Sequence, residues 1–329
     1  MIRRRTFLYE TRAEEEDTYL RFKALSNCQV KFTGTTVNKV LNTLQYSTNN
    51  GGTWSALSNN TYVSLNKGKS ILFKGNCISN TSSTGIGTFA STDGTFEVRG
   101  NIMSLLFSDN YENQTDLTGY GNVFYRLFSG CTGVANIDNL VLPATTLVSG
   151  CYYQMFRDCT SLTSIPSGLL PATNLTGCDW CYAQMFYGCT RLTSIPNGLL
   201  PSTTLATSCY QNLFQGCSKL ETVPSNLLPA TTLATNCYGA MFYSCPLLTT
   251  APDLPARKLV NGCYSNMFNG CKKLNYIKAM FTTTPTNYAS YWVYGVAATG
   301  TFVKNSAATW NVSGPNGIPS GWTIQTASS

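Results

Sequence analysis

Fourteen cysteines and fifteen carboxylates are the side chains that could do chemistry in this sequence, and histidine is absent. Without histidine there is no Ser-His or Cys-His activation of a nucleophile, and no imidazole to hold a metal. Cys178-Asp-Trp-Cys181 has the spacing of half a thiolate zinc site, but no second such pair accompanies it. Paired carboxylates could hydrolyse a glycosidic bond. The acids beyond residue 100 are Asp109, Glu112, Asp116, Asp138, Asp158, Asp179, Glu221 and Asp253, and they recur at no common position. They read as scattered solvated charges. The Gly85–Thr88 cluster lacks the lysine and following helix of a phosphate-binding loop. The expectation is a protein with no catalytic residue, no cofactor and no metal.

The cysteines have another use, which their spacing reveals. CYYQMFRDCTSLTSIPSGLLPATNL begins at Cys151, and close copies begin at Cys181, Cys209, Cys237 and Cys263. A degenerate first copy, VFYRLFSGCTGVANIDNLVLPATTL, begins at Val123. The second cysteine of each unit is Cys131, Cys159, Cys189, Cys217, Cys245 and Cys271. The period is near 28 residues; Asp179 and Trp180 belong to a two-residue insertion, and one later loop is shorter. Such self-similarity is the mark of stacked units, none of which can bury its apolar face alone.

Within a unit, Cys151, Tyr152, Met155, Phe156 and Cys159 sit at i, i+1, i+4, i+5 and i+8, which predicts one stripe of an α-helix. Leu162 to Ile165, ended by Pro166, predicts a short strand. On a helix the two cysteines of one unit would stand about 12 Å apart. That exceeds the roughly 7 Å a disulfide allows. Two ladders of small, reduced, buried thiols are therefore expected.

This helix-then-strand pattern, [CV]-[YF]-x-x-[ML]-F-x-x-C followed by L-x-x-[IVA], resembles the BspA-type leucine-rich repeats. These occur in gut Bacteroidetes and in the phages that infect them. The resemblance covers roughly residues 18–325. It implies an α/β solenoid of about six to seven units, preceded by a β-domain, and a surface or particle protein that binds partners. The unit here is longer than the common form, and Val123 stands where the other copies have cysteine.

Residues 18–98 alternate with period two, as at Leu20, Phe22 and Ala24, which predicts an antiparallel β-sandwich of about six or seven strands. Ile102–Phe107 is expected to start the first buried strand of the solenoid. Ser47-Thr-Asn49-Asn-Gly51-Gly-Thr53-Trp54 resembles the Asp-box hairpin of sialidases, with Asn49 in place of its aspartate. It reads as a stable turn with Trp54 packed beneath. The fold class expected overall is α+β. It divides into an N-terminal arm (1–17), a β-sandwich (18–100), the leucine-rich-repeat-like solenoid (101–303) and a C-terminal cap (304–329) containing Trp310 and Trp322.

Charged residues are only 11% of the chain, so its surface is mostly Thr, Ser, Asn and Gly. Net charge is +7, but the one dense basic run, Arg3-Arg4-Arg5, is followed by Glu14-Glu15-Glu16-Asp17. No basic stripe interleaved with aromatics suggests nucleic acid. No apolar run approaches the roughly 18 residues that span a membrane, and the N-terminus lacks the apolar core of a secretory signal. The function expected is a phage virion structural protein (fibre, decoration or tail-associated), made in the bacterial host cytoplasm and displaying its repeats for protein or host-surface binding. A bacterial cell-surface adhesin is the alternative, and a glycan-active enzyme ranks below both. Candidate contacts are Arg3, Arg4, Arg5, Phe7 and Tyr9 in the arm, and Asp179 and Trp180 in the insertion. The partners expected are other virion proteins through residues 1–17, further copies of this chain, and a host-surface glycan or protein.

Overall fold

A computed structural model describes residues 19–34, 44–76 and 85–327. The repeated segment is not a helix. Within Cys151–Cys159, alternate N–H groups close tight turns backwards: Tyr153 to Gly150 O (3.0 Å), Met155 to Tyr152 O (3.2 Å), Arg157 to Gln154 O (3.1 Å). The intervening N–H groups reach sideways into the next repeat: Tyr152 to Cys181 O (3.0 Å), Gln154 to Ala183 O (3.0 Å), Phe156 to Met185 O (2.9 Å). An α-helix sends each of these donors to its own i−4 carbonyl and leaves none for a neighbour. Here half of them join one rung of the stack to the next.

The turn ribbon has a period of four residues rather than 3.6. Every fourth residue takes a positive φ: Gly150, Gln154 and Asp158 in one rung, Trp180, Gln184 and Gly188 in the next. The two residues that follow each such position face the core, as Cys151-Tyr152 and Met155-Phe156 do. The expected α+β class with a leucine-rich-repeat-like α/β solenoid is therefore overturned. The described residues are 3% helical and 23% strand, in three sheets. Ile102–Phe107, expected to open a strand, instead holds α1 (Ser104–Phe107), a single buried turn of helix.

Proline explains why the expected parallel sheet is thin. Pro166, Pro196, Pro224 and Pro252 each follow the last apolar residue of the strand position, and none can donate to a ladder. In the middle of the stack the pairing shrinks to isolated bridges such as Ser194↔Thr222 and Thr250↔Tyr276. Where lysine replaces proline, after Ile277 and after Val303, the pairing lengthens. There β11 (Tyr276–Ala279), β12 (Thr301–Asn305) and β13 (Thr323–Ala327) make a parallel three-stranded sheet.

The N-terminal residues close the start of the stack. The largest sheet runs β10-β8-β1-β6-β3-β4, with β9 also paired to β8. Its strands are β1 (Leu20–Ala24), β3 (Gln45–Ser47), β4 (Ser55–Ala56), β6 (Ser70–Lys74), β8 (Phe96–Asn101), β9 (Val134–Asn136) and β10 (Leu140–Val141). The third sheet is β5 (Val63–Leu65), β2 (Cys28–Gly34) and β7 (Gly87–Ser91), in that order. Phe22 of β1 joins the two, its ring 4.7 Å from Phe73, 4.9 Å from Phe89 and 5.8 Å from Phe128 of the first repeat. Phe89 N also donates to Leu127 O (2.7 Å), so the strand β7 completes the first turn ribbon.

The buried apolar cluster is continuous from Leu20 to Trp322. Its spine is a ladder of stacked rings, Phe128, Phe156, Phe186, Phe214, Phe242 and Phe268, with neighbours 5.2 to 5.8 Å apart. Tyr152, Tyr182, Tyr210, Tyr238 and Tyr264 form a second ladder beside it. At the far end Tyr288–Val296 supplies a seventh rung, with Trp292 in the methionine position and Val293 in the phenylalanine position. Residues 315–317 cap it: Tyr291 N donates to Asn316 Oδ1 (2.6 Å) and Trp292 Nε1 to Gly317 O (3.0 Å). Trp310 and Trp322 are buried at the same end.

Candidate binding face

The thiols can be placed first. Thirteen cysteines are described; all are buried and none is in a disulfide. The sequence argument against pairing within a unit assumed a helix, so its 12 Å separation does not carry over to the turn ribbon. Burial pushes the thiols up, Cys151 and Cys271 to about 12 and Cys131 to about 11. They are held as S–H donors, unsuited to nucleophilic or thiolate-ligand roles. Cys178 of the C-x-x-C sequence donates to Leu147 O (3.2 Å). No cluster that could hold a metal occurs among the described residues.

The carboxylates are similarly engaged. Asp109 accepts from Lys74 Nζ (2.8 Å) and from Tyr19 OH (2.7 Å), and these bonds hold its carboxyl below the usual range. Asp138 accepts from Ser164 Oγ (2.7 Å), and Asp253 pairs with Lys278 (2.7 Å). The Asp-box-like hairpin is a turn: Ser47 Oγ accepts Gly51 N (2.9 Å) and Asn49 Oδ1 accepts Thr53 N (2.9 Å). Trp54 lies beneath, its ring 5.0 Å from Tyr19 and 4.4 Å from Lys74 Nζ.

The structure moves the two-residue insertion to Thr176-Gly177: Cys181 N bonds Cys178 O as Cys151 N bonds Val148 O, so Asp179 and Trp180 fill the ordinary slots of Ser149 and Gly150. Asp179 is structural: its carbonyl accepts Gly150 N (2.9 Å) and its Oδ1 accepts Thr207 N (3.0 Å), bonding to the rungs on both sides. Trp180 faces outward. It is 40% exposed, holds φ at +60°, and sets its indole 6.0 Å from Tyr153 at 61°. Tyr153 in turn stacks on Tyr125 at 5.2 Å. The next rung has Ala183 at the position of Tyr125 and Tyr153, and Trp180 N–H and C=O bracket it through bonds to Thr207 O and from Ala183 N.

A polar ladder runs beside these rings. Arg126 Nε donates to Gln154 Oε1 (2.5 Å), Gln154 Nε2 to Gln184 Oε1 (2.8 Å), and Arg157 Nη1 to the same oxygen (2.9 Å). Gln184 Nε2 returns to Tyr153 OH (3.3 Å). Both guanidiniums lie over rings, Arg126 on Tyr125 (5.0 Å) and Arg157 on Tyr187 (4.4 Å). Trp, Tyr and Arg are the residue types that carry most binding energy at interfaces. Three consecutive rungs therefore present one face of aromatic rings, amides and guanidiniums.

Of the sequence candidates, Trp180 lies on this face and Asp179 props it. Arg3, Arg4, Arg5, Phe7 and Tyr9 lie outside the described residues. Tyr125, Arg126, Tyr153, Gln154, Arg157 and Gln184 were not singled out from the sequence. They are the x-x positions of the repeat: the ribbon leaves Arg126 exposed and Tyr125, Tyr153, Arg157 and Gln184 half-buried, while Gln154 is buried. A hollow of about 540 Å³ lies between the loops of the first two repeats; its walls include Val141, Pro143, Pro166 and Pro171. Its acid, Asp138, is already bonded, and the hollow adds no reactive group. No described helix is long and apolar enough to cross a membrane. No family model matches the chain, and no curated protein or solved structure matches it either.

Proposed function

We propose that this chain is a structural protein of a bacteriophage virion, a fibre, decoration or tail-associated component, that displays its repeat stack for attachment to a host surface. The observation that carries the attachment role is the placement of Trp180, in the one rung with a two-residue insertion, beside Tyr153 and the Arg126–Gln154–Gln184 ladder. The two extra residues, exposed Thr176 and Gly177, lie just before Trp180, and insertions in repeat arrays concentrate on binding faces. The virion setting is supported by the resemblance of the repeats and by free thiols throughout the described core. The charged arm, residues 1–17, is the anchor to other virion proteins or to sister copies. Catalysis has no part in this reading.

Two variants of the particle that carries the chain test it. Deleting residues 2–17 is expected to abolish incorporation, and normal incorporation overturns the anchoring role. Trp180→Ala is expected to leave incorporation intact and lower adsorption to host cells about tenfold. Unchanged adsorption overturns the attachment role.

A further inference from the structure

We infer that the ligand of the Trp180 face is an anionic polysaccharide bearing carboxylates. This rests on the attachment reading and names the chemistry of its target.

The exposed apolar part of the face is small: a single indole, with Tyr125 and Tyr153 stacked on one another so that each covers part of the other's ring face. A protein interface of standard size buries about 800 Å² on each side around an apolar, aromatic centre. One indole flanked by amides does not offer that. It does offer a flat platform for the C–H face of a sugar ring, with hydrogen-bonding groups beside it. Gln184 is a half-buried planar amide already held in orientation by buried Gln154, by Arg157 and by Tyr153. Side chains ordered in advance lose little entropy when a polar ligand arrives.

Charge sets the sign of the ligand. Arg126 and Arg157 stand on adjacent rungs. The terminal nitrogens of exposed Arg126 have no partner among the described residues, nor does Nη2 of Arg157. A guanidinium fork matches a carboxylate in bidentate fashion. Of the acids nearby, Asp158 pairs with Arg157 Nε (3.2 Å) and offsets that guanidinium, and Asp179 binds Thr207 N (3.0 Å), so Arg126 is the cation of this face bonded to no carboxylate among the described residues. The face thus keeps donor capacity for anions. The rings of Tyr125, Tyr153 and Trp180 follow one another at 5.2 and 6.0 Å with Arg126 over the first of them, an arrangement that suits a short run of linked sugars.

The test uses the full chain and four immobilised carboxylated polysaccharides, polygalacturonate, alginate, hyaluronan and polysialic acid, with dextran as the neutral control. At least one acidic polymer is expected to bind, dextran is not, and binding should weaken as salt rises. Trp180→Ala should weaken it about tenfold. Arg126→Gln, a change at an exposed position, should weaken it about threefold and flatten the salt dependence. Binding to none of the four polymers overturns the inference, as does binding that Trp180→Ala leaves unchanged. If none binds while Trp180→Ala still reduces particle adsorption, the ligand is not a carboxylated polysaccharide and only that assignment falls. If adsorption is unchanged, the attachment reading itself falls.

Discussion

The thiol of Cys159 donates to the backbone carbonyl of Phe128 at 3.2 Å, across the boundary between one repeat and the one before it. The relationship recurs: Cys189 to Phe156 O, Cys217 to Phe186 O, Cys245 to Phe214 O and Cys271 to Phe242 O, all at 3.0 to 3.3 Å. These cysteines fasten rungs together as well as filling space. Cys189→Ala removes both roles and is expected to cost about 1 to 3 kcal/mol, read as a lower denaturant midpoint. A variant as stable as the parent would show that the thiol contact contributes nothing.

The same burial makes the stack sensitive to alkali. Unfolded thiols ionise near 9, while burial pushes Cys151, Cys209 and Cys271 to about 12 and Cys131 and Cys263 to about 11. Above pH 9 the unfolded chain sheds protons that the folded chain keeps, so stability falls as pH rises through the window from 9 to 12. The expected outcome is a denaturant midpoint that declines steadily across that window. Native thiols should also resist a disulfide reagent at pH 8 and react only on unfolding.

Backbone strain in the ribbon gives an independent check. Ala240 holds φ at +52° at a position where other rungs have arginine, glutamine, asparagine or tyrosine. A left-handed conformation costs an ordinary L-residue about 1 to 2 kcal/mol. Ala240→Gly is expected to stabilise by about 0.5 to 1 kcal/mol after the added chain entropy of glycine is deducted. Gly188→Ala should do the reverse and more strongly. Its φ is +70° and a Cβ there would strike Asp158 Oδ1. Equal melting temperatures for the two variants would contradict the turn-ribbon geometry.

The repeat, its register and its buried residues are plain in the spacing of Cys151, Tyr152, Met155, Phe156 and Cys159. The conformation of that segment is not. Over eight residues a helix drifts by only about 80° from a strict four-residue period, so both patterns keep these side chains on one side. Glycines carried the missing signal. Gly130, Gly188, Gly216 and Gly270 each stand just before the second cysteine, all with positive φ. A helix interior disfavours glycine there, whereas a ribbon that must turn left-handed every fourth residue requires it or tolerates it. The alternation of Leu20, Phe22 and Ala24 does correspond to β1, because period two admits no competing pattern at that length. On the binding face, Trp180 stood out because its unit is two residues longer, although the structure places the extra residues at Thr176-Gly177. Tyr125, Arg126 and Gln154 were not, because their grouping depends on which way the ribbon turns them.

Asp179 links the stability of its rung to the face it supports. Its Oδ1 takes the Thr207 N–H, and Trp180 N donates to Thr207 O (3.1 Å), so one residue of the next rung fixes both Asp179 and Trp180. Asp179→Ala removes the acceptor and is expected to cost about 1 kcal/mol. It should also loosen the indole, read as lower near-ultraviolet circular dichroism and weaker adsorption. Asp179→Asn keeps an oxygen at the same place and should retain most of both properties, even though the charge is gone. If Asn fails as badly as Ala, the carboxylate acts by its charge, and the role of Asp179 moves from propping Trp180 to meeting the ligand directly.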